Sequence, residues 1–325
     1  MTELRSVVER FFAADAIESV GKFDSRIIVT LKNVPENQEL AEQLKQELLK
    51  ISDVDKVSVI FTATKTEENE HYWKIRGVKK IIAVASGKGG VGKSTTATNL
   101  ALALQQLGKK VALFDADIYG PSIPTMLGYE NMNPLSKDGQ TFEPFEIGDL
   151  QTMSIGTLIP RDAPLIWRGP KACGALQQLL SDVNWHDVDV MVIDMPPGTG
   201  DIQITLSQQV KLDGAIIVST PQDIALIDAV KGVNMFKAVN VPILGVVENM
   251  SYYLCPNCGN KEYIFGEHGV KNTAAQIGVD FLGDIPLDIQ IRSHADEGMP
   301  IVQAKPDSQF AKAYLEIAAK IVDKI

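Results

Sequence analysis

Residues 87–94 read Gly-Lys-Gly-Gly-Val-Gly-Lys-Ser, a complete G-x-x-x-x-G-K-[ST] phosphate-binding loop. Its glycines free the backbone to turn several N–H groups toward phosphate oxygens. In such a loop the lysine, here Lys93, reaches the β- and γ-phosphates, and the hydroxyl of Ser94 binds Mg²⁺. The sequence therefore predicts a nucleotide site made of Gly87, Lys88, Gly89, Gly90, Val91, Gly92, Lys93, Ser94 and Thr95.

The chain on either side of this loop has the pattern that a phosphate loop requires. Residues 80–85 (KIIAVA) form a short apolar run of the kind found in buried parallel strands. After the loop, apolar side chains fall on one face of a helix that Gly108 ends: Leu100, Ala101, Leu104 and Leu107. Bound phosphates would then lie at the positive end of that helix.

Length and composition limit the classes of protein to consider. A chain of 325 residues with 45% hydrophobic content can bury one large core and a smaller one. The net charge of −10 argues against non-specific nucleic-acid binding, which needs a basic surface. No apolar run approaches the roughly 20 residues of a membrane span. Because the start, Met1-Thr2-Glu3, lacks a signal-peptide core, we expect a cytoplasmic protein without membrane partners.

The hydrophobic pattern divides the chain into three parts. Residues 1–62 predict a small domain of order α-β-α-β, with a first helix over about 3–14. Residues 63–78 are polar and charged and predict a linker. Residues 79–325 predict a phosphate-loop domain with an inserted C-x-x-C. Its strand candidates alternate with helical stretches: 80–85, 110–114, 151–155, 188–193, 213–219, 242–248 and 280–283. The fold class is thus α/β, with a doubly wound, mainly parallel sheet and a small α+β N-terminal domain.

Polar side chains follow several of these strands, where ligands bind in parallel sheets. Asp115 and Asp117 follow one strand and suit Mg²⁺ and the positioning of water. Asp194 ends another strand and starts D-M-P-P-G-T-G-D, which predicts a carboxylate that holds Mg²⁺ through water and a turn-rich segment that can move.

A second decisive feature is Cys255-Pro256-Asn257-Cys258-Gly259. C-P-x-C-G forms a tight knuckle in which Cys255 and Cys258 point at one metal and Gly259 permits the return turn. A zinc ribbon needs two knuckles, and this chain has one. Cys173 is distant in sequence, and we expect it to be a small buried residue of a helix. Four-coordination therefore calls for a second copy of the chain. A shared four-cysteine iron–sulfur cluster, one Zn²⁺ or a redox pair all remain open.

The segment K-G-G-V-G-K-S-T, residues 88–95, resembles the deviant phosphate loop of septum-site and partition ATPases, the nitrogenase iron protein and the Mrp/ApbC iron–sulfur carriers. D-x-P-P-G-T-G-D and C-P-x-C-G resemble the Mrp/ApbC members more specifically. In this group the extra lysine, here Lys88, reaches the partner's nucleotide across a homodimer, as an arginine finger does. The resemblance also makes Asp117 the residue that orients the attacking water, and Asp115 a supporting residue beside the metal.

The resemblance implies a homodimeric ATPase that binds ATP with Mg²⁺ and hydrolyses ATP slowly. It would carry a labile [4Fe–4S] cluster between two Cys255/Cys258 pairs and deliver it to apoproteins, with assembly scaffold proteins as further partners. In related ATPases the positions of Asn249 and Asp288 lie around the adenine, although both residues also suit polar strand caps. Two alternatives stay open: a positioning or partition switch that depends on the C-terminal helix, and an ATPase with a structural zinc. Nothing in the sequence separates ATP from GTP.

Overall fold

The computed structural model describes residues 2–23, 25–32, 38–51, 53–62, 72–158 and 169–325. The chain divides into two compact units, residues 1–71 and residues 72–325. Of the predicted linker, residues 63–71 lie outside the described part. Across the described ranges, no helix combines the length and the apolar character needed to cross a membrane.

The first unit is a three-stranded sheet with two helices. Its elements are α1 (Thr2–Val8), β1 (Ile17–Phe23), β2 (Arg26–Lys32), α2 (Gln38–Leu48) and β3 (Lys56–Thr62). β2 lies in the middle, antiparallel to β1 and parallel to β3. Alternate side chains of β2 face the core of this unit, since Ile27, Val29 and Leu31 are buried.

Two details of this unit differ from the sequence prediction. The order is α-β-β-α-β rather than the predicted α-β-α-β, because the strand β1 precedes β2. Its register shifts between Ile17 and Ser19, and such an irregularity interrupts the alternation that reveals a strand. The first helix ends at Val8 instead of near residue 14, because the N–H groups of Arg10 and Phe11 bond three residues back, as in a tightening last turn.

The second unit is built on an eight-stranded sheet whose order is β13-β10-β9-β4-β8-β5-β7-β6. All neighbouring pairs are parallel except β6 and β7. The strands of this unit are β4 (Val78–Ala85), β5 (Val111–Asp115), β6 (Phe145–Ile147), β7 (Leu150–Ser154), β8 (Val188–Asp194), β9 (Gly214–Ser219), β10 (Ile243–Glu248), β11 (Tyr253–Leu254), β12 (Lys261–Glu262) and β13 (Phe281–Asp284). The predicted α/β fold class and its seven main strands are confirmed, while β6 and the β11–β12 hairpin were not predicted.

Helices separate most of these strands, as a doubly wound sheet requires. They are α3 (Lys93–Gln106), α4 (Ile123–Met126), α5 (Gly169–Asp182), α6 (Asp201–Gln209), α7 (Asp223–Ala238), α8 (Gly269–Ile277), α9 (Ile289–Asp296), α10 (Ile301–Ala304) and α11 (Gln309–Val322). The last helix buries an apolar stripe against α3 and β13: Phe310, Tyr314, Ile317 and Ile321. The C-terminal helix thus packs within this domain. Cys173 lies in α5 and is half-buried.

The strand order places the site. β10, β9, β4, β8 and β5 are consecutive neighbours, although they are far from consecutive in sequence. Their carboxyl ends form one edge of the sheet, where a parallel sheet binds ligands. The phosphate loop follows β4, and the predicted carboxylates end β5 and β8.

Candidate nucleotide and cysteine sites

The phosphate loop turns between β4 and α3 as the motif predicts. Gly92 has φ +81° and caps α3, so that the first N–H groups of this helix are directed into the loop. A Cβ at Gly92 would also collide with the side-chain amide of Asn249. At Gly87 a Cβ would overlap the backbone carbonyl of Asp228 in α7. Gly87 therefore permits close packing of the loop on α7, while Gly92 permits its left-handed turn.

Lys93 lies in the floor of the loop and is only 6% exposed. Its Nζ is 2.6 Å from Oδ1 of Asp194, 3.2 Å from Oγ of Ser94 and 3.8 Å from Oδ2 of Asp117. The structure thus brings together four of the predicted site residues. A buried lysine needs such a counter-charge, and a phosphate would compete for the same ammonium group.

Asp194 is fully buried, and its second oxygen, Oδ2, has no hydrogen-bond partner among the described residues. Burial raises the pKa of this carboxyl, and the charge of Lys93 and its hydrogen bond oppose that shift. An unpartnered buried carboxylate oxygen beside a serine hydroxyl fits a site for hydrated Mg²⁺. The residues present therefore suit the ion that accompanies a nucleotide.

Asp115 holds the loop between β5 and α4. Its Oδ1 accepts from the N–H of Asp117 at 3.1 Å, and Oδ2 accepts from Ser122 and Ile123 N–H at 3.1 and 3.2 Å and from the Ser154 hydroxyl at 3.0 Å. Burial, followed by the charge of Asp194, raises the pKa of Asp115 to about 7. The carboxylate thereby fixes the backbone that carries Asp117. Its supporting role beside Mg²⁺ stays a prediction.

The two residues predicted to surround the base each make a hydrogen bond within the protein. The side-chain amide of Asn249 donates to the carbonyl of Val91 in the phosphate loop, at 2.8 Å. Asp288 caps α9, where its Oδ1 accepts from the N–H of Gln290 at 2.8 Å. Both residues therefore have a structural task in this arrangement. Contact with adenine stays a prediction for each.

The cysteine pair lies on the small antiparallel hairpin of β11 and β12. Cys255 N–H donates to Asn260 O at 2.9 Å, and Gly259 N–H donates to Cys255 O at 2.8 Å, which closes the predicted knuckle. Backbone N–H groups of Asn257 and Cys258 lower the pKa of the Cys255 thiol, because they stabilise its thiolate. Cys255 is half-buried and Cys258 is exposed.

This pair has too few ligands for a metal of its own. In the part of the chain that the structure describes, no group of three or more His, Cys, Asp or Glu side chains is placed to hold a metal ion. Structural zinc and iron–sulfur sites take four protein ligands. Cys255 and Cys258 would therefore supply at most two of the four ligands that such a site needs.

The residues that hold this hairpin belong to no recognisable sequence motif. Nζ of Lys261 lies 3.6 Å from the ring centre of Tyr252 and 5.1 Å from that of Tyr263, and 4.0 Å from Asp284 at the end of β13. Glu248, at the end of β10, is buried and accepts hydrogen bonds on both carboxylate oxygens. The only sequence signal for Glu248 is its position as a single acidic residue directly after the apolar run 243–247.

The family of this chain follows from its similarity to known proteins. The family model described as ParA, "NUBPL iron-transfer P-loop NTPase", matches residues 77–322. The chain belongs to this family. Its predicted resemblance to Mrp/ApbC carriers is confirmed by its relatives. An "iron-sulfur cluster carrier protein" of Escherichia coli (strain K12) is 50% identical over 292 residues, which cover 89% of this chain and 79% of the relative.

A plant relative and a solved structure agree with this assignment. The "iron-sulfur protein required for NADH dehydrogenase, mitochondrial" of Arabidopsis thaliana is 51% identical over 250 residues, 77% of this chain and 80% of the relative. A nucleotide-binding protein of Archaeoglobus fulgidus in complex with ADP is 37% identical, with a TM-score of 0.64 over 73% of this chain and 93% of that one. The cell-division ATPase MinD of Pyrococcus furiosus, 24% identical, with a TM-score of 0.56 over 75% of this chain and 98% of that one, shows the shared fold.

Proposed function

We propose that this iron-transfer P-loop NTPase is an ATP-dependent carrier of iron–sulfur clusters. Two copies would hold one labile [4Fe–4S] cluster between their Cys255/Cys258 pairs and deliver it to recipient apoproteins. The observation that carries the proposal is a hairpin with two thiols and no third ligand nearby among the described residues. The names of the relatives support iron and sulfur as the cargo.

ATP would bind at the loop after β4, where Lys93 exchanges its ion pair with Asp194 for the phosphates. Ser94 and, through water, Asp194 would hold the accompanying Mg²⁺, which neutralises charge during phosphoryl transfer. Asp117, 3.8 Å from Lys93, is the candidate that orients the attacking water. Lys88 would act across the dimer on the partner's nucleotide. Slow hydrolysis would then switch the dimer between states that hold and release the cluster.

The domains divide these tasks in the proposal. Residues 79–325 would bind the nucleotide and the cluster, and the small N-terminal domain, residues 1–62, would dock onto scaffold or recipient proteins. Residues 1–62 contain no cysteine, so they cannot ligate a cluster through thiolates.

Anaerobic reconstitution tests the cargo. The reduced full chain is incubated with ferric iron, a dithiol reductant and sulfide, and its visible absorption, iron, sulfide and zinc contents are measured. We expect an iron–sulfur chromophore with about two iron atoms per chain, which corresponds to one cluster per dimer. The reconstituted protein should then activate an apoenzyme whose activity needs a [4Fe–4S] cluster.

Single cysteine variants provide the controls. Cys255→Ala and Cys258→Ala should each lose the chromophore and still bind ATP, while Cys173→Ala, in α5, should keep both properties. Zinc at about one per two chains, with no iron–sulfur chromophore after reconstitution, would contradict the carrier function and favour a structural metal site.

A further inference from the structure

The end of β10 touches both sites. Asn249 donates its side-chain amide to the Val91 carbonyl in the phosphate loop at 2.8 Å. The preceding residue, Glu248, directs its carboxylate to the segment that carries the cysteines. Successive side chains of a strand point to opposite sides, so neighbouring residues can serve different partners.

Glu248 joins the two ends of residues 251–270, the cysteine-bearing excursion from the sheet. One oxygen accepts from the hydroxyl of Ser251, where the chain leaves the sheet, and the other accepts from the N–H of Val270 at 2.7 Å, in the first turn of α8, where the chain returns. The residue is completely buried, and both its oxygens are used. One carboxylate therefore fixes the two ends of the excursion relative to each other.

Backbone hydrogen bonds continue this attachment up to the hairpin. Ile285 N–H donates to Glu248 O at 2.8 Å, Ser251 N–H donates to Ile285 O at 2.9 Å, and Leu287 N–H donates to Tyr252 O at 2.7 Å. Between them Met250 adopts φ +54°, a left-handed conformation that is unfavourable for a non-glycine residue. Such strain is retained where the surroundings determine the backbone.

The hairpin is attached to the same base through Lys261. This lysine of β12 lies over the ring of Tyr252, whose carbonyl belongs to the backbone ladder just described. The phosphate loop is thus connected to Cys255 without a gap. Asn249 is hydrogen-bonded to Val91, and its neighbour Glu248 is hydrogen-bonded to Ser251. Tyr252, the next residue, leads into the hairpin.

We propose that Glu248 is a positioning residue that couples nucleotide binding at the phosphate loop to the placement of Cys255 and Cys258. The inference rests on the proposed function for its purpose, because a carrier must change its hold on the cargo with its nucleotide state. A phosphate that draws Lys93 and the loop backbone toward itself shifts the Val91 carbonyl. Asn249 follows this shift, and Glu248 passes it to both ends of the excursion.

The test uses thiol reactivity in the reduced, metal-free full chain, with Cys173→Ala as the background. The alkylation rates of Cys255 and Cys258 are measured with and without saturating Mg²⁺ADP and a non-hydrolysable ATP analogue. We expect each nucleotide to change the rate by about fivefold or more, the lower range of ordinary coupling between two sites. An unchanged rate in this background overturns the proposal.

Two substitutions at position 248 separate positioning from a general structural effect. Glu248→Gln should keep the nucleotide response, because the glutamine oxygen accepts from Val270 and its amide group donates to the Ser251 hydroxyl. Glu248→Ala should lose the response while nucleotide binding, measured by calorimetry, persists. A full response in Glu248→Ala overturns the proposal.

Ser251→Ala decides the question if Glu248→Ala does not fold. It removes one of the two side-chain bonds and no charge, and it should reduce the nucleotide response at least about twofold. The matched control is Ser207→Ala in α6, which loses a buried hydroxyl bond of the same kind, to Gln203 O at 2.7 Å, away from this route. Equal responses in the two serine variants overturn the proposal.

This experiment is independent of the cargo. If the chain reconstitutes no iron–sulfur cluster and yet its thiols respond to nucleotide through Glu248, the proposed function fails and the coupling stands. If a cluster forms but thiol reactivity ignores the nucleotide, the coupling fails and the carrier function stands.

Discussion

At the scale of single residues, Lys93 and Asp194 lie together beside the phosphate loop. Their side chains form a buried ion pair of 2.6 Å, so each charge has a counter-charge. The cost of burying an unpaired charge explains why both residues are so closely placed. The second oxygen of Asp194, Oδ2, has no hydrogen-bond partner in the described part of the chain, so it could hold hydrated Mg²⁺.

Asp194→Asn tests this task. The asparagine oxygen can still accept from Lys93, so the nucleotide-free protein should fold, but the lost charge should lower ATP hydrolysis by about a hundredfold or more. Turnover is measured by phosphate release at saturating ATP and Mg²⁺. Asp189→Asn is the matched control, because Asp189 lies on the same strand, β8, and pairs at the surface with Lys79. Equal turnover in the two variants would rule out a metal-side role for Asp194.

The thiol of Cys255 gives a prediction about pH. Because two backbone N–H groups stabilise its thiolate, its pKa lies below that of an ordinary cysteine, and its thiolate forms at lower pH. We expect the pH midpoint of its alkylation in the metal-free protein to lie below that of an unstructured cysteine peptide. Mass spectrometry after timed exposure to iodoacetamide gives this midpoint. A midpoint at or above that of the peptide would mean that the knuckle does not stabilise the thiolate.

At the scale of elements, the hairpin and the C-terminal helix show opposite kinds of attachment. The β11–β12 hairpin is held by a few specific polar contacts at its base, from Glu248, Lys261 and the backbone ladder. Helix α11 is held by a continuous apolar stripe against α3 and β13. Polar contacts with defined partners can be rearranged by a ligand, whereas a packed core resists change.

The packing of α11 yields a stability prediction. Ile317 is 1% exposed, so Ile317→Ala should lower the free energy of unfolding by about 2–4 kcal/mol through the cavity left behind. Chemical denaturation followed by circular dichroism measures this change. Ile289→Ala serves as the control, since the same side chain at the start of α9 is 70% exposed and should change stability little. A small effect at Ile317 would indicate that α11 detaches easily, as a membrane-targeting helix does.

At the scale of the whole molecule, two features of the proposed function require a second copy of the chain. The cysteine hairpin provides two ligands where the proposed cluster needs four. Lys88 is proposed to act on the nucleotide of the partner. Both features follow carboxyl ends of the same sheet, so a single two-fold interface could serve both.

Mixing of variants tests the role of Lys88 across that interface. Lys88→Ala alone should hydrolyse ATP at least about tenfold more slowly while it still binds nucleotide. When Lys88→Ala is mixed with an equal amount of Asp194→Asn, a heterodimer contains one site with an intact Asp194 and a Lys88 from its partner. Random pairing should restore about a quarter of the wild-type turnover. A mixture no more active than the mean of its parts would place the action of Lys88 within its own chain.

Much of the larger domain was predictable because its signals are local. Buried parallel strands appear as apolar runs, and the glycine-rich loop between β4 and α3 is visible as a motif. The missed elements carry weak local signals. β1 has a register irregularity, β6 has three residues, and β11 and β12 have two each. Strands this short are defined by their partners rather than by their own periodicity.

The phosphate loop, the strand–helix alternation, the family and the C-P-x-C-G motif can all be read from the amino-acid sequence. The partners of the site residues, by contrast, depend on how the chain folds. Lys93 pairs with a carboxylate 101 residues away, and Asn249 reaches a loop carbonyl 158 residues away. Asp115 and Glu248 likewise became holders of loops only once the chain was folded. These contacts follow from the strand order β10-β9-β4-β8-β5. Hydrophobic periodicity cannot reveal this order, because periodicity reports the burial of a strand and not which strands lie beside it.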